Sequence, residues 1–510
     1  MIKKSLLSFG LLFGLVAGLY AQDEFDALKA SQTQLKGTAR YMSMGGAFTA
    51  LGGDASAISL NPAGLGVYRS SEITATLNLL NSSTNSTWNG IVNNDNNIYA
   101  HFNNLSIVAT VPGTDEYSSA LSFSYERLKS FNRSGTISGG SQYSSLTDYM
   151  AKRTNGISES NLQSSDVYNN TSIPWMSVLG YDGYLINPSS SGTNQWASLL
   201  GSNETVKPSY SFTESGYIDQ YSISYGANLS NIVYLGASLG WQSISYSLSS
   251  NYSEQFSASG SMSLHNDIYT TGSGFDVKLG IIVRPTDFLR LGFAYHTPTF
   301  YTMTDSYYAS LSSNVSTTAT SSGAFNGTVS TPDEGGYSKY KLQTPALYTA
   351  GIAAVIGKKG VISFDYQYQD YTTMKLKDQD GLSSAFQNEN SYIQEDLQGV
   401  NTFRVGGEYR VNNEIALRLG YNYISPATKS TAYRWLPDNS VRTDNEYFVD
   451  VKTQNYTAGI GFHHNNWNFD LAYVLNKQQQ DFYPYADSSL TPARLTTNNS
   501  NIAFTVGLRY

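Results

Sequence analysis

The chain closes on Ile502-Ala-Phe-Thr-Val-Gly-Leu-Arg-Tyr510. Ile502, Phe504, Val506, Leu508 and Tyr510 alternate with Ala503, Thr505, Gly507 and Arg509. That is a strand with one apolar face and one small or polar face. It ends on an aromatic at the C-terminus itself. A soluble sheet rarely leaves an aromatic exposed there, whereas a barrel whose outer wall faces lipid has a use for it. Phe504, Val506, Leu508 and Tyr510 read as the signal by which barrel-assembly machinery recognises such a chain.

The N-terminus agrees. Lys3 and Lys4 precede an apolar run, Leu6 to Leu19, that stops at Tyr20-Ala21-Gln22. This is the pattern of a secretory signal peptide over 1–21, cleaved after Ala21. The run is too short for a membrane helix, and no later stretch approaches the ~20 apolar residues such a helix needs. Charged residues make up 14%, against roughly 25% in ordinary soluble domains. Polarity comes instead from Ser, Thr, Asn and 40 Tyr, which suit strands and turns. With no Cys, the fold does not depend on disulfides. The net charge is −8, or −10 once Lys3 and Lys4 leave with the signal. An acidic chain without basic runs argues against a nucleic-acid partner.

Alternation recurs in fourteen stretches, near 71–80, 102–112, 117–128, 217–228, 231–246, 268–284, 288–297, 338–356, 361–371, 402–411, 414–425, 455–463, 466–475 and 501–510. Every even strand is followed by a short turn, such as Asn412-Asn413. Every odd strand is followed by a long loop: 81–101, 129–216, 247–267, 298–337, 372–401, 426–454 and 476–500. This short/long alternation is the outer-membrane topology, with the long loops extracellular. Charge phase is an independent test. Asp276 and Lys278 oppose Phe275, Val277, Leu279 and Ile281, and Arg404 and Glu408 oppose Phe403 and Val405. Arg290, Arg410, Arg418, Asp470 and Arg509 also take the polar face. Lipid-facing Arg or Lys costs roughly 2–4 kcal/mol at the bilayer midplane, so these charges point inward. Asp219 and Arg127 fall on the lipid phase near strand ends. The fold class is therefore all-β, a 14-stranded antiparallel transmembrane barrel over 71–510.

Such a barrel is too wide for side chains alone to fill. Many inward positions are small: Gly236, Ser238, Gly240, Gly280, Gly292, Ala294, Gly420, Gly459 and Gly461. Residues 22–70, which lack strand alternation, are the natural filler. They contain Gly37-Thr-Ala-Arg40, Met44-Gly-Gly-Ala-Phe-Thr-Ala50, Gly53-Asp-Ala-Ser-Ala-Ile58 and Asn61-Pro-Ala-Gly-Leu65. Their small residues allow tight backbone packing.

In that order before the first strand, these motifs resemble the FadL-type family of outer-membrane transporters for long-chain fatty acids and other hydrophobic compounds. Glu214-Ser-Gly-Tyr217, Leu235-Gly-Ala-Ser-Leu239 and Arg284-Pro-Thr-Asp287 are similar to later segments of the family. The resemblance implies fourteen strands and an N-terminal hatch plugging the lumen, here 22–70. Gly37, Arg40, Gly45, Gly46, Asp54, Asn61, Pro62, Ala63 and Gly64 are then the hatch and gating residues. It also implies capture of ligand on apolar loop surface, a pocket above the hatch and sideways exit beside a kinked third strand. Two features depart from the family. Tyr117 to Leu128 holds no Gly or Pro to make a kink, and the longest loop is the second, 129–216.

Within that loop Met150, Trp175, Met176, Leu179, Trp196 and Leu199 are candidates for a surface capture groove, or pack the loop onto itself. Pro345 interrupts strand eight without breaking its phase and marks a bulge or a wall opening. His463 and His464 share a turn, and His296 faces inward as a hydrogen-bonding residue. Asp378-Gln-Asp-Gly381 reads as a turn rather than a calcium loop. No motif places a Ser, a His and an acid together, so the chain reads as a non-enzyme without a cofactor. It is placed in the outer membrane of a Gram-negative bacterium as a monomer. Its partners are membrane lipid, the assembly machinery and a hydrophobic small-molecule ligand. The alternative is a surface-binding or haem-receptor-like barrel whose large loops bind a ligand or partner.

Overall fold

A computed structural model describes residues 22–510 apart from 112, 115, 317–322, 334, 358, 435, 438–439 and 488. The expected signal peptide, 1–21, lies outside the described residues.

Fourteen antiparallel strands close the barrel. They are β1 Glu72–Trp88, β2 Ile91–Val111, β3 Tyr117–Ser130 with its continuation Arg133–Ser138, β4 Val206–Leu229, β5 Val233–Phe256, β6 Gly260–Val283, and β7 as Leu289–His296 and Phe300–Ser316. They continue with β8 as Gly336–Gln343 and Leu347–Ile356, β9 Gly360–Asp370, β10 Gly399–Arg410, β11 Ile415–Ile424, β12 Tyr447–His464, β13 Trp467–Tyr483 and β14 Ala493–Arg509. β14 pairs with β1 from Glu72–Arg509 to Thr87–Arg494, which removes the free edge. Beyond that pairing, Ser71 and Tyr510 exchange backbone hydrogen bonds of 3.1 and 3.0 Å.

The wall phase follows the side chains. Phe275 and Leu279 are 64% and 51% exposed to the lipid side, while Asp276 and Lys278 between them are buried inside. The terminal strand likewise turns Phe504 and Tyr510 outward. Arg127 and Asp219, on the lipid phase of adjacent strands, pair with each other at 2.9 Å.

The strands are longer than their apolar alternation. Residues 81–101 are not a loop but the upper halves of β1 and β2, turning at Asn89 and Gly90, both with positive φ. Residues 247–267 likewise belong to β5 and β6, and most of 476–500 to β13 and β14. These extensions are rich in Ser, Asn, Thr and Gln, as in Asn81-Ser-Ser-Thr-Asn-Ser-Thr87. Their outer faces carry no hydrophobic period, because they rise beyond the apolar band, whereas Tyr252, Phe256, Met262 and Leu264 alternate inward into the core.

Pro345 does more than bulge its strand. Tyr340 and Leu342 face inward, whereas Tyr348 and Ile352 are 46% and 47% exposed outside. The strand therefore changes face across Thr344-Pro345-Ala346, contrary to the unbroken phase expected. β7 breaks alongside it at Thr297-Pro298-Thr299, turning from outward Phe293 to inward Tyr301 and Met303. Neither proline can donate to the ladder. The two gaps are bridged by Thr344 N–H to Thr299 O at 3.0 Å and Thr299 N–H to Thr344 Oγ1 at 2.8 Å.

Above these breaks the lumen holds the largest apolar core. Loop residues 139–205, with α4 Leu146–Thr154, α5 Glu159–Leu162 and α6 Trp175–Asp182, fold onto inward-facing Tyr307, Leu311 and Tyr340. Met150, Trp175, Met176, Leu179 and Trp196 are buried in this core and Leu199 packs against it. Apart from the partly exposed Leu199, these residues present no apolar surface. Their hydrophobicity caps the barrel end.

Candidate functional site

Residues 22–70 occupy the lumen as α1 Glu24–Ser31, α2 Ala39–Ser43, α3 Ala57–Leu60 and a 3-10 turn Pro62–Val67. The inward glycines of the wall are sockets for this hatch. A β-carbon at Gly236 would collide with Pro62, at Gly280 with the Asn61 amide, at Gly292 with Thr49, at Gly406 with Met44, at Gly420 with Gly45, and at Gly459 with Ser43. Glycine lets two backbones meet where any side chain would hold them apart.

The sequence motifs supply the cross-ties. Asn61 caps the 3-10 turn through Ala63 N–H at 3.1 Å, with Pro62 at its first position. Its amide also donates to Thr49 O at 2.7 Å within the hatch and Ile281 O at 3.3 Å in the wall. Ala63 is fully buried, and Gly64 packs against Gly52. Asp54 accepts from Thr38 Oγ1 at 2.8 Å and Ser56 N–H at 3.0 Å, and Gly37 leaves room for Ser56. Gly45 and Gly46, at φ 64° and 76°, turn the chain after α2 in a conformation other residues rarely adopt. Arg40 donates to Gly53 O at 3.0 Å and pairs with Glu408 of β10. Glu408 also takes Arg418, which reaches Asp470. Asp365 of β9 accepts Thr49 N–H and Oγ1 at 2.8 and 2.7 Å. His296 donates to Leu60 O at 2.8 Å.

Between the α1 helix of the hatch and the hatch residues that follow it lies a cavity of about 400 Å³. Leu35, Lys36, Tyr41, Ser59 and Leu60 form its hatch-side lining. The roof is α1 with Arg434 and residues 440–446, which fold inward. Arg434 pairs with Asp23 and donates to Glu446 O at 2.6 Å, and Arg442 reaches Asp26 and Asp444. Glu24, with neither carboxylate oxygen partnered, is fully buried here. Burial, reinforced by Asp23, raises its carboxyl well above the usual range. Burial also lifts Asp26 to about 6 against the pull of Arg442. Below, burial lowers Lys36 to about 8.

One side of the cavity is an in-register polar row. Asp365, Arg404, Asn422, Asn455, Asn476 and Asn499 stand opposite one another on successive strands β9 to β14. The amides form a chain: Asn499 donates to Asn476 at 3.4 Å, Asn476 to Asn455 at 2.9 Å, and Asn455 to Asn422 at 3.4 Å. Asn422 ends it on Gly45 O of the hatch at 3.4 Å.

The wall has a seam beside β3. Its pairing with β2 stops at Asn104–Glu126, and a bulge at Leu128 carries it away without Gly or Pro. Farther up, side chains replace the ladder: Asp95 accepts Thr136 N–H at 2.7 Å and Asn93 accepts Ser138 N–H at 2.9 Å. At the bulge the hatch stands in for β2. Gln34 N–H donates to Leu128 O at 2.9 Å, and its side-chain amide exchanges hydrogen bonds of 3.1 and 3.2 Å with Ser130 backbone.

A family model for the outer membrane protein transport proteins (OMPP1/FadL/TodX) matches residues 213–508. The chain belongs to this family. No curated protein matches the chain. Solved structures share the fold over nearly the whole of both chains. The Ralstonia pickettii toluene transporter TbuX is 15% identical with a TM-score of 0.51, over 93% of this chain and 99% of that one. A Pseudomonas aeruginosa FadL homologue is 13% identical with a TM-score of 0.54, over 94% and 99%. The P. putida toluene transporter TodX is 13% identical with a TM-score of 0.52, over 94% and 99%. Membership places this fourteen-stranded barrel in the outer membrane of a Gram-negative cell. Within that FadL/TodX frame, Gln34, Arg404 and the latch residues Arg434 and Arg442 were not singled out as site residues from the sequence. Arg404 carried a signal, a charge on the inner phase. Gln34 carried none.

Proposed function

We propose that the protein takes up hydrophobic small molecules, long-chain or aromatic, through the lumen and past a movable hatch formed by residues 22–70. The observation that carries this reading is the double role of Gln34: it belongs to the plug below the cavity and also seals β3 where β2 has left it. Movement of the hatch would then open the cavity floor and the seam together. Gly37, Arg40, Gly45, Gly46, Asp54 and the Asn61–Gly64 turn act as the joints of the gate. The long-loop end faces outside, and Phe504, Val506, Leu508 and Tyr510 direct assembly of a monomer. The surface-binding alternative loses support, because Met150, Trp175, Met176, Leu179 and Trp196 of that loop are buried. Uptake of radiolabelled palmitate and toluene by cells lacking their own channel tests the reading. Faster entry of at least one over the empty vector is expected; entry of neither contradicts it.

A further inference from the structure

Four lysines stand together on the outer face of the barrel, just beyond its apolar band. Past the break at Pro345, the upper half of β8 turns Tyr337, Lys339, Lys341 and Gln343 outward, with Ser338, Tyr340 and Leu342 buried between them. β9 resumes after a 3-10 turn, Tyr371–Thr373, as the short strand Lys375–Lys377. Leu376 of that strand is buried, so its two lysines share the outer face. Lys341 is directly opposite Lys377, and Gln343 is opposite Lys375.

Like charges directly opposite on neighbouring strands destabilise a sheet. Among the described residues, none of the four lysines pairs with a carboxylate. Lys377 donates to Gln343 Oε1 at 3.2 Å, and Lys339 lies over the Tyr337 ring, 5.5 Å from its centre. Asp378 and Asp380 begin the loop that follows, where Asp378 accepts Leu382 N–H instead. In the lumen, by contrast, Lys29 and Lys278 are paired with Glu214 and Asp276.

The rows around the lysines fix their height. One row lower, Phe300 opposes Gln343 on one side and Phe275 on the other, and both rings are exposed on the lipid side. At the level of the lysines, Thr302 stands between Lys341 and Ser273, and Thr304 between Lys339 and Thr271. Lys339 and Lys341 are ~7 Å apart along the strand, and the β-carbons of Lys341 and Lys377 are ~5 Å apart across it. Ammonium and hydroxyl groups thus stand directly over an aromatic edge, the order in which a lipid presents its head and its acyl chains.

We propose that Lys339, Lys341, Lys375 and Lys377, with the Thr302 and Thr304 hydroxyls, hold the phosphate of an outer-leaflet glycolipid of the lipid A type. Its acyl chains lie along Phe300, Phe275 and Tyr348. Charge complementarity selects this occupant. Lysine holds phosphate as a point charge, and the long-loop end of the barrel stands in the leaflet whose lipid carries phosphate on a sugar head. A phosphate between Lys341 and Lys377 replaces their repulsion by charge-assisted hydrogen bonds. This inference rests on the outward orientation of the long loops in the uptake reading, and not on the cargo or the hatch.

Native mass spectrometry of the full-length barrel in detergent, with diphosphoryl lipid A and the same lipid after phosphatase treatment, tests it. The wild type should bind the phosphorylated form about tenfold tighter or more, and added salt should weaken that binding. Lys341→Gln/Lys377→Gln should erase most of the preference and leave the dephosphorylated lipid bound as before. Lys339→Gln/Lys375→Gln should do the same and serves if the first variant does not assemble. Lys359→Gln, in the turn before β9 at the opposite end of the barrel, should change nothing. Equal binding of the two lipid A forms by the wild type would overturn the proposal, as would an undiminished preference in the lysine variants. Equal retention of phosphatidylglycerol would replace the glycolipid by any anionic lipid, and equal competition by inorganic phosphate would make the patch a site for free anions; either overturns the assigned occupant. Each of these results leaves the uptake reading standing.

Discussion

Arg40 of the hatch and Glu408 of the wall form an ion pair, Nε to Oε2 at 2.9 Å, and the same carboxylate holds Arg418 of the next strand at 2.7 Å. One side chain thus ties the plug to two neighbouring strands. Glu408→Gln leaves the mostly buried Arg40 guanidinium without its carboxylate, while Arg418 keeps Asp470. Breaking a buried pair by removing one partner typically costs about 3–5 kcal/mol; the partial exposure of Arg40 puts this case at the lower end. Planar-bilayer recordings should show raised leak through an intact, heat-modifiable barrel. A variant as closed as the wild type would separate this pair from hatch retention.

Neighbouring glycines on β10 should behave oppositely. A β-carbon at Gly406 collides with Met44 of the hatch, while one at Gly407 meets nothing closer than Val361 O at 3.6 Å. Gly406→Ala should displace the plug and raise conductance several-fold. Gly407→Ala should change stability by no more than ~0.5 kcal/mol. Equal conductance in the two variants would remove the socket interpretation.

The seam gives a local readout. Ser130 N–H is held by the Gln34 side chain at 3.1 Å. In Gln34→Ala that amide should exchange faster with deuterated water, while the Phe123 amide, inside the regular ladder with β2 and β4, should not. Unchanged exchange at Ser130 would show that the hatch does not seal β3.

The roof latch should depend on pH. Glu24 and Asp26 titrate higher in the folded protein than in the unfolded chain, Asp26 at about 6 against ~3.9 for a free Asp. The folded state therefore holds more protons in that window, and its stability falls as pH rises through it. For Asp26 the loss runs between about pH 4 and 6, and Glu24 extends it upward. Asp23, Asp396 and Arg434 face Glu24 and set the size of the effect. Leak should be greater at pH 8 than at pH 5, and Glu24→Gln should flatten the difference. An unchanged slope in that variant would place the pH sensitivity elsewhere.

The barrel was legible in the sequence because lipid imposes a strict period on Phe275, Val277 and Leu279 and forces Asp276 and Lys278 inward. The upper strands were not, since Asn81 to Thr87 pair in a polar setting that rewards no alternation. The face change at Pro298 and Pro345 was hidden because each segment keeps its own period and only the joint shifts. The hatch turn Asn61-Pro62 was visible as a turn, and its wall sockets as small residues. What joins them was not visible: Arg40 with Glu408, or Gln34 with Ser130, are meetings across long sequence separations. The loop residues Trp175 and Met176 looked like a capture surface because composition cannot tell an apolar surface from an apolar core.

A hatch locked to the wall tests the central mechanism most directly. The Thr49 hydroxyl lies 2.7 Å from the Asp365 carboxylate, so these two side chains meet across the hatch–wall contact and are the pair to replace by cysteines. The chain has no other Cys to interfere. Entry of radiolabelled palmitate or toluene is measured for Thr49→Cys/Asp365→Cys before and after reduction. Gating by the hatch predicts that the oxidised protein admits no more than empty vector and recovers on reduction. Equal entry in both states would contradict a moving hatch.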